Sequence, residues 1–172
     1  MSTTMSPGAA VQQQQPIRLE RSYNAQVADL WFLWSTKEGF ESWWGPEGFR
    51  VEVRKMAFQV GGGLSYDMIA DAPEQIAFMK AANMALSHGT HGIYTAITPL
   101  KKLELTHDID FIPGVAPYTN KSVAEFFQEA GGVARMVITV EPHLDPMWTG
   151  RAAAGWTSQL TKVEAALAAR EK

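Results

Sequence analysis

Four histidines are the side chains of this sequence best suited to acid–base or metal chemistry, and His107 has the most informative surroundings. Alternation of apolar and polar residues predicts a strand with His107 on its apolar face. The apolar residues of that face are Leu103, Leu105, Ile109 and Phe111. Because a buried imidazole needs hydrogen-bond partners, two interpretations are open. His107 is either a polar anchor or acid–base group in a cavity, or a structural histidine bonded to a neighbouring element.

The other histidines give no metal-binding pattern. His88 and His91 are three residues apart beside Gly89 and Gly92, in a glycine-rich segment that we interpret as an exposed turn. No third ligand accompanies them, so we predict no metal site. The sequence contains no cysteine, which excludes disulfides and thiolate chemistry.

Motifs for phosphate binding and for nucleophilic catalysis are also missing. Residues 61–63 are all glycine, but the Lys-Ser/Thr pair of a phosphate loop does not follow them. We interpret this run as a hairpin turn. No serine occupies a G-x-S-x-G motif. We therefore expect no cofactor.

Glu125 has two open interpretations. It shares a predicted strand face with Val123 and Phe127. If that face is turned inward, the carboxylate could pair with His107. The alternative is an exposed glutamate on an edge strand.

Two tyrosines are further candidates. Tyr66 shares a face with Leu64 and Met68, where its hydroxyl would either orient a ligand or lie at the rim of a packed core. Tyr94 lies in a segment that is apolar on both faces, so its direction stays open.

The elements that must position these residues follow from hydrophobic periodicity. Alternation predicts strands at 17–23, 49–56, 64–68, 92–98, 101–111, 122–129 and 133–141. Helical spacing predicts two short helices after the first strand. Asn24 is the expected cap of the first helix, and residues 35–38 fit a capping box for the second. A third helix is predicted over 74–86. In the first strand, Arg21 interrupts the apolar side and indicates a sheet edge.

The last predicted element is a long helix that begins at Asp145-Pro146, a capping residue followed by proline. It extends to about Arg170, a length of roughly 38 Å at 1.5 Å per residue. Its apolar stripe consists of Trp148, Ala152, Trp156, Leu160, Val163 and Leu167. This stripe must lie on the sheet.

Runs of antiparallel strands with segregated helices indicate the α+β class. We expect a flexible tail over residues 1–16 and one domain over 17–172. The net charge of -3 and the lack of a basic run argue against nucleic-acid binding. No stretch approaches the ~20 apolar residues of a membrane span. These features and the absence of cysteine lead us to expect a cytoplasmic protein.

This order of elements resembles the START-like helix-grip (SRPBCC) superfamily and, within it, the activator of heat-shock 90 ATPase homologue-like family. The resemblance covers about residues 17–168. The matching segments are VADLWFLWSTKEGFESWWGP, GGGLSYDM, GIYTAITPLKKLELTHDIDF, GGVARMVITV and AAGWTSQLTKVEAAL. WWGP together with the GW segment of the last helix is fairly specific, whereas either alone would be weak.

The resemblance implies a curved antiparallel sheet of about six to seven strands around the long C-terminal helix, with an apolar cavity between them. Family members bind hydrophobic small molecules, act as cyclases or related enzymes, or bind partner proteins. We accordingly expect an apolar or aromatic ligand. The alternatives are a cyclase- or hydrolase-like enzyme that uses His107 as acid or base, and a chaperone-binding module. A homodimer is compatible with this class. Residues 71–91 are longer than expected and could cover the cavity.

The expected ligand-binding residues combine the predicted inward faces with this implied cavity. They are Trp44, Tyr66, Met68, His107, Ile109, Met136, Ile138, Trp148 and Trp156. Trp44 is the least certain in location, because Phe40 and Trp43 form the core face of their helix and Gly45-Pro46 ends it. We interpret WWGP chiefly as a fold signature, with Trp44 at a corner and a candidate for the cavity rim.

Overall fold

The computed structural model describes residues 14–110, 112 and 114–170. In this part of the chain seven antiparallel strands form one curved sheet, accompanied by five helices. The strands are β1 (Ile17–Asn24), β2 (Phe49–Met56), β3 (Gly63–Ala70), β4 (Ser87–Thr98), β5 (Lys102–Ile109), β6 (Tyr118–Glu129) and β7 (Val133–Val140). The helices are α1 (Val27–Ser35), α2 (Lys37–Glu41), α3 (Pro73–Ala81), α4 (Pro146–Leu160) and α5 (Val163–Arg170). The predicted α+β helix-grip class is confirmed.

The sheet order is β1-β7-β6-β5-β4-β3-β2. Each strand from β2 to β6 pairs with the next strand in sequence, and β1 pairs with β7 rather than with β2. β1 is an edge strand, as the charge of Arg21 on its apolar side indicated. Predictions for residues 1–13, for Phe111 and for residues 171–172 lie outside the described residues. No helix in the described residues is long and apolar enough to cross a membrane.

The inner face of the sheet follows the alternation of each strand. On β5, Leu103, Leu105 and Ile109 are buried, and His107 shares their face. On β3, Leu64 and Tyr66 are buried and Met68 is partly buried. α1 and α2 close one end of this concave face with Leu30, Leu33, Trp34, Phe40 and Trp43, all at most 3% exposed.

The caps of the short helices differ from the predicted ones. α1 begins after Gln26 rather than Asn24, and the first helical N–H, that of Val27, donates to Gln128 Oε1 at 2.8 Å. α2 is capped by Thr36, whose hydroxyl accepts from Gly39 N at 3.0 Å. The side chain of Gln128, far away in sequence, thus takes the place of a local cap for α1. Sequence spacing does not reveal such a non-local contact.

The helix predicted over 74–86 is shorter in the structure. α3 ends at Ala81, and Asn83 adopts a left-handed conformation with φ 57°, which ends the helix. β4 then begins at Ser87, which pairs with Ile69 of β3. His88 and His91 therefore lie in a strand rather than in the predicted turn.

The long C-terminal helix is present but is interrupted by a turn at Thr161-Lys162, between α4 and α5. Asp145 caps its start by accepting from Met147 N at 2.7 Å, and Pro146 takes the first helical position, as predicted. At the interruption the Thr161 hydroxyl donates to the carbonyl of Ser158 at 2.6 Å. This side-chain bond satisfies a carbonyl at the end of α4 and favours the turn.

Candidate functional site

A cavity of about 240 Å³ lies between the inner face of β3, β4 and β5 and helix α4. Its lining residues are Trp44, Pro46, Tyr66, Met68, His88, Thr90, His107, Ile109, His143, Ala152, Gly155, Trp156 and Gln159. Six of the nine expected ligand-binding residues are in this set. Apolar side chains form most of the wall, and a few polar groups converge on it, which is the usual composition of a small-molecule site.

The other three expected residues lie elsewhere. Met136 and Ile138 are on the inner face of β7, are each 1% exposed, and belong to the core. The Met136 sulfur accepts from the indole N–H of Trp34 at 3.4 Å. Trp148 is partly buried, and the guanidinium of Arg151 lies 4.9 Å from its ring centroid. None of the three is among the described residues that line the cavity.

Trp44 lies at the centre of an aromatic cluster rather than at a corner or rim. It is 3% exposed. Its ring stacks on Phe40 at 4.5 Å and meets Trp34 and Trp156 edge-on at 5.4 and 5.2 Å. Its indole thus joins the core to the cavity wall. The tight turn that follows needs Gly45, because φ there is 95° and an added Cβ would come within 3.3 Å of the Met68 sulfur.

A chain of hydrogen bonds connects Trp44 to His107. The Trp44 indole N–H donates to the Tyr66 hydroxyl oxygen at 2.9 Å, and that hydroxyl is 3.1 Å from His107 Nε2. An indole N–H can only donate, so the Tyr66 oxygen accepts from it. Because this buried hydroxyl has no other recorded acceptor in the described residues, we assign its hydrogen to His107 Nε2, which is then the unprotonated ring nitrogen. The proton of the neutral imidazole is therefore on Nδ1.

Burial supports this assignment of protons. Desolvation, with a smaller contribution from nearby His91, lowers the pKa of His107 from 6.5 to about 4. Burial likewise raises the pKa of the Tyr66 hydroxyl above its usual value of 10, although the bond from Trp44 opposes this. Both groups are thus uncharged near neutral pH. His107 nevertheless keeps part of its surface accessible, because it is one of the cavity-lining residues.

Gly92 of β4 allows β5, the strand that carries His107, to approach β4 closely. Gly92 pairs with His107 across β4 and β5. A Cβ at position 92 would lie 2.6 Å from the Thr106 carbonyl oxygen and 3.1 Å from the His107 Cα. A larger residue would therefore push the two backbones apart and move the imidazole.

The arrangement favours hydrogen-bond donation by His107 over base catalysis. A general base needs a free lone pair and a pKa near the working pH. Nε2 already accepts from Tyr66, and the lowered pKa leaves little driving force for taking a proton. The Nδ1–H remains as a donor. His107 is thus suited to orienting a polar group of a ligand.

His143 is a second imidazole in the cavity wall, which sequence reasoning did not select. It is 9% exposed, and its Nδ1 is 2.6 Å from the Tyr118 hydroxyl. Burial lowers its pKa as well. It lies in the connection between β7 and α4, where strand alternation has ended. The one available signal was its position two residues before the Asp145 helix cap.

The WWGP segment and the residues just after it are hydrogen-bonded to the end of α4 and to the turn that follows α4. The Gly45 N–H donates to Gln159 Oε1 at 2.9 Å, and the Glu47 N–H donates to Ser158 Oγ at 2.8 Å. The Lys162 ammonium donates to the carbonyls of Trp44 and Phe49 at 3.4 and 3.2 Å. Burial lowers the pKa of Lys162. These bonds hold one wall of the cavity against the helix that forms the other.

The structure shows the side-chain directions of Glu125 and Tyr94, which the sequence did not decide. Glu125 points to the outer face of β6, opposite to buried Ala124 and Phe126, and does not pair with His107. β6 is an interior strand, so the edge-strand part of that alternative is wrong. Tyr94 is 1% exposed on the inner face, and its hydroxyl has no hydrogen-bond partner among the described residues.

A larger groove of about 760 Å³ lies away from these histidines. It is formed by the start of α1, the turn between β4 and β5, and the end of β6. Its lining residues include Leu100, Lys101, Lys102 and Phe127, all of which are exposed. No expected ligand-binding residue lines it.

A curved antiparallel sheet that holds a C-terminal helix across its concave face defines the helix-grip class. Residues 24–168 match the family described as Activator of Hsp90 ATPase homolog 1-like protein, and the chain belongs to that family.

Solved structures show the same fold at low sequence identity. An AHSA1 protein from Silicibacter pomeroyi is 23% identical, with 90% of this chain and 99% of that chain covered and a TM-score of 0.68. A protein from Chromobacterium violaceum is 20% identical, with coverage of 89% and 96% and a TM-score of 0.69. None of the curated proteins compared with the chain matches it.

Proposed function

We propose that this protein binds a small apolar or aromatic molecule in the cavity between α4 and strands β3 to β5. The observation that carries the proposal is the composition of the cavity wall. Trp44, Trp156, Met68 and Ile109 provide apolar surface, and the neutral imidazole of His107 is held in a fixed orientation among them.

The cavity volume limits the size of the ligand. At about 240 Å³ it lies just below the ~300–1,000 Å³ of sites for drug-sized ligands. A molecule with one or two fused rings fits this space. Burial of about 200 Å² of such a ligand would contribute roughly 5 kcal/mol. After the cost of association, we expect dissociation constants of about 10 μM to 1 mM.

Helix α4 offers a direct way to test the location. Gly155 lines the cavity, and a Cβ added there would meet no atom within 4 Å. A Gly155→Leu variant would therefore place its Cβ in open space and extend its side chain into the cavity. Removal of a helical glycine also stabilises a helix by up to about 1 kcal/mol. Loss of binding in this variant would not be explained by unfolding.

Gly150 provides the matched control. It lies in the same helix, is exposed, has equal free space and does not line the cavity. Calorimetric titration with indane, an apolar bicyclic probe, should show binding to the native protein and to Gly150→Leu. Binding to Gly155→Leu should be at least about tenfold weaker. Equal binding to all three proteins would exclude this cavity as the site.

A further inference from the structure

Three polar side chains that line the cavity, those of His107, His143 and Gln159, share a property: each uses an acceptor atom in a hydrogen bond within the protein. His107 Nε2 accepts from the Tyr66 hydroxyl. Gln159 is 5% exposed, and its Oε1 accepts from the Gly45 N–H at 2.9 Å. Because a backbone N–H requires an acceptor, the amide oxygen of Gln159 is fixed toward Gly45. The amide NH₂ of Gln159 is left as a donor.

His143 follows the same rule. Its Nδ1 is 2.6 Å from the Tyr118 hydroxyl, so a tyrosine hydroxyl occupies one ring nitrogen, as in His107. By analogy with His107 we assign the Tyr118 hydrogen to Nδ1, which places the proton of the neutral imidazole on Nε2.

These donors have no protein acceptor in the described part of the chain. No hydrogen bond is recorded there for His107 Nδ1, His143 Nε2 or Gln159 Nε2, and all three residues line the cavity. A ligand that satisfies them must offer acceptor atoms. Such an excess of donors distinguishes a carbonyl from a hydrocarbon of the same shape.

The charge of the wall further restricts the ligand. The described residues that line the cavity include no Asp, Glu, Lys or Arg. A carboxylate or ammonium group on the ligand would lose its hydration without gaining a countercharge, which disfavours its binding. An uncharged acceptor avoids this cost.

From this geometry we infer that the ligand is an uncharged, mainly apolar molecule with a ketone- or quinone-type carbonyl, which accepts from His107, His143 or Gln159. The inference rests on the proposed function and specifies the chemical class that the cavity takes. It also assigns Gln159 two roles, since the residue binds the WWGP segment through its oxygen and presents its NH₂ to the ligand.

Three probes that share the indane ring system test the inference by calorimetry: 1-indanone, indane and indane-1-carboxylate. Binding of 1-indanone should be at least about tenfold tighter than binding of indane, because the donors gain an acceptor. The carboxylate should bind more weakly than the ketone. The carbonyl stretching band of bound 1-indanone should also shift to lower wavenumber relative to its position in hydrocarbon solvent.

A conservative variant separates the donor role of Gln159 from its structural role. Gln159→Glu keeps an oxygen for the Gly45 N–H and, titrated at about pH 8 to ionise the carboxylate, offers no donor hydrogen. In this variant the preference for 1-indanone over indane, taken as the ratio of their dissociation constants, should fall at least about threefold. The native-protein comparison stands on its own if the variant does not fold.

The outcomes distinguish the two proposals. If neither indane nor 1-indanone binds, the proposed function fails and the inference fails with it. If indane binds as tightly as 1-indanone, or if the carboxylate binds tightest, only the assigned ligand class is wrong.

Discussion

Among the pockets of the described residues, the groove near Phe127 is larger than the cavity near His107, but its polar side chains are less firmly oriented. The groove has about 760 Å³ and the cavity about 240 Å³. In the groove, Lys101 and Lys102 are long side chains exposed to solvent. In the cavity, hydrogen bonds to Tyr66 and Tyr118 fix the orientation of two imidazoles.

This comparison indicates that the orientation of polar groups is a better guide to a binding site than pocket volume. In the groove, Gln128 uses its side chain within the fold: it accepts from Val27 N and donates to the Val133 carbonyl, at 2.8 and 3.0 Å. In the cavity, His107 and Gln159 each make a structural hydrogen bond that orients the side chain and leaves a donor for a ligand. Volume alone favours the groove, whereas the fixed orientation of its donors favours the cavity.

The largest expected effect tests whether the cavity wall is part of the core. Trp44→Ala removes a buried ring that contacts Phe40, Trp34 and Trp156, and it leaves the Tyr66 hydroxyl without its donor. The free energy of unfolding should fall by about 3–5 kcal/mol in urea titrations.

Phe127→Ala is the matched change in the groove. Phe127 is 38% exposed and lies under the Arg135 guanidinium at 4.3 Å. Its loss should cost less than about 1.5 kcal/mol. Equal losses for the two variants would show that the groove is as tightly packed as the cavity wall.

Strand alternation explains how much of the site could be predicted from the sequence. A period of two residues decides which face a side chain occupies, so His107, Tyr66, Met68 and Ile109 were correctly placed on the inner face. The same rule placed Met136 and Ile138 on that face. It could not show that β7 lies beyond β6 and away from the cavity, because strand order depends on non-local pairing.

Residues in connections and at helix ends escaped prediction for a related reason. Gln159 gains its role from Gly45, which is 114 residues away in sequence. His143 lies between β7 and α4, where no periodic pattern applies. At the turn Thr161-Lys162, the Thr161 hydroxyl bonds to the Ser158 carbonyl and the Lys162 ammonium bonds to carbonyls 118 and 113 residues away. Helical periodicity does not show these contacts, so the sequence predicted one continuous helix where the structure has two.

The second prediction concerns pH. Burial lowers the pKa of His107 to about 4, below the value of about 6.5 in an unfolded chain. Between these pH values the unfolded chain binds a proton that the folded chain does not, so stability falls as pH decreases from about 6.5 to about 4. Above about 6.5 this contribution is constant. A shift of this size gives an upper limit of about 3 kcal/mol, reduced by the partial exposure of the ring.

His107→Gln should flatten this part of the stability curve measured by urea unfolding at a series of pH values. His91→Gln is the control on the outer face, where the imidazole is 50% exposed and lies 3.1 Å from Asp108. Because His91 contributes only the smaller part of the lowered pKa of His107, this change should alter the slope much less. A native-like slope in His107→Gln would mean that other groups account for the pH dependence.

The third prediction tests the attachment of the WWGP segment to the helix. Lys162→Met keeps much of the apolar stem and removes the ammonium bonds to the Trp44 and Phe49 carbonyls. We expect a loss of about 1–2 kcal/mol in the free energy of unfolding, because charge-assisted bonds are stronger than neutral ones but this group is only partly buried. Binding of indane should weaken in parallel as the cavity wall loosens. Unchanged stability would show that the bonds from Gly45 and Glu47 suffice to hold the segment.

The smallest expected effect concerns a residue of the larger groove and is an increase in stability rather than a loss. Leu100, at the turn between β4 and β5, has φ 66° and is 47% exposed. A left-handed conformation costs a branched residue roughly 1–2 kcal/mol, and asparagine tolerates it better. Leu100→Asn should therefore stabilise the protein by about 0.5 kcal/mol after the loss of some apolar contact, seen as a higher urea midpoint with an unchanged slope. If the variant is instead destabilised by more than about 1 kcal/mol, Leu100 makes contacts strong enough to offset its strain. Such a result would show that specific contacts organise the groove as well, and the contrast with the cavity would be smaller.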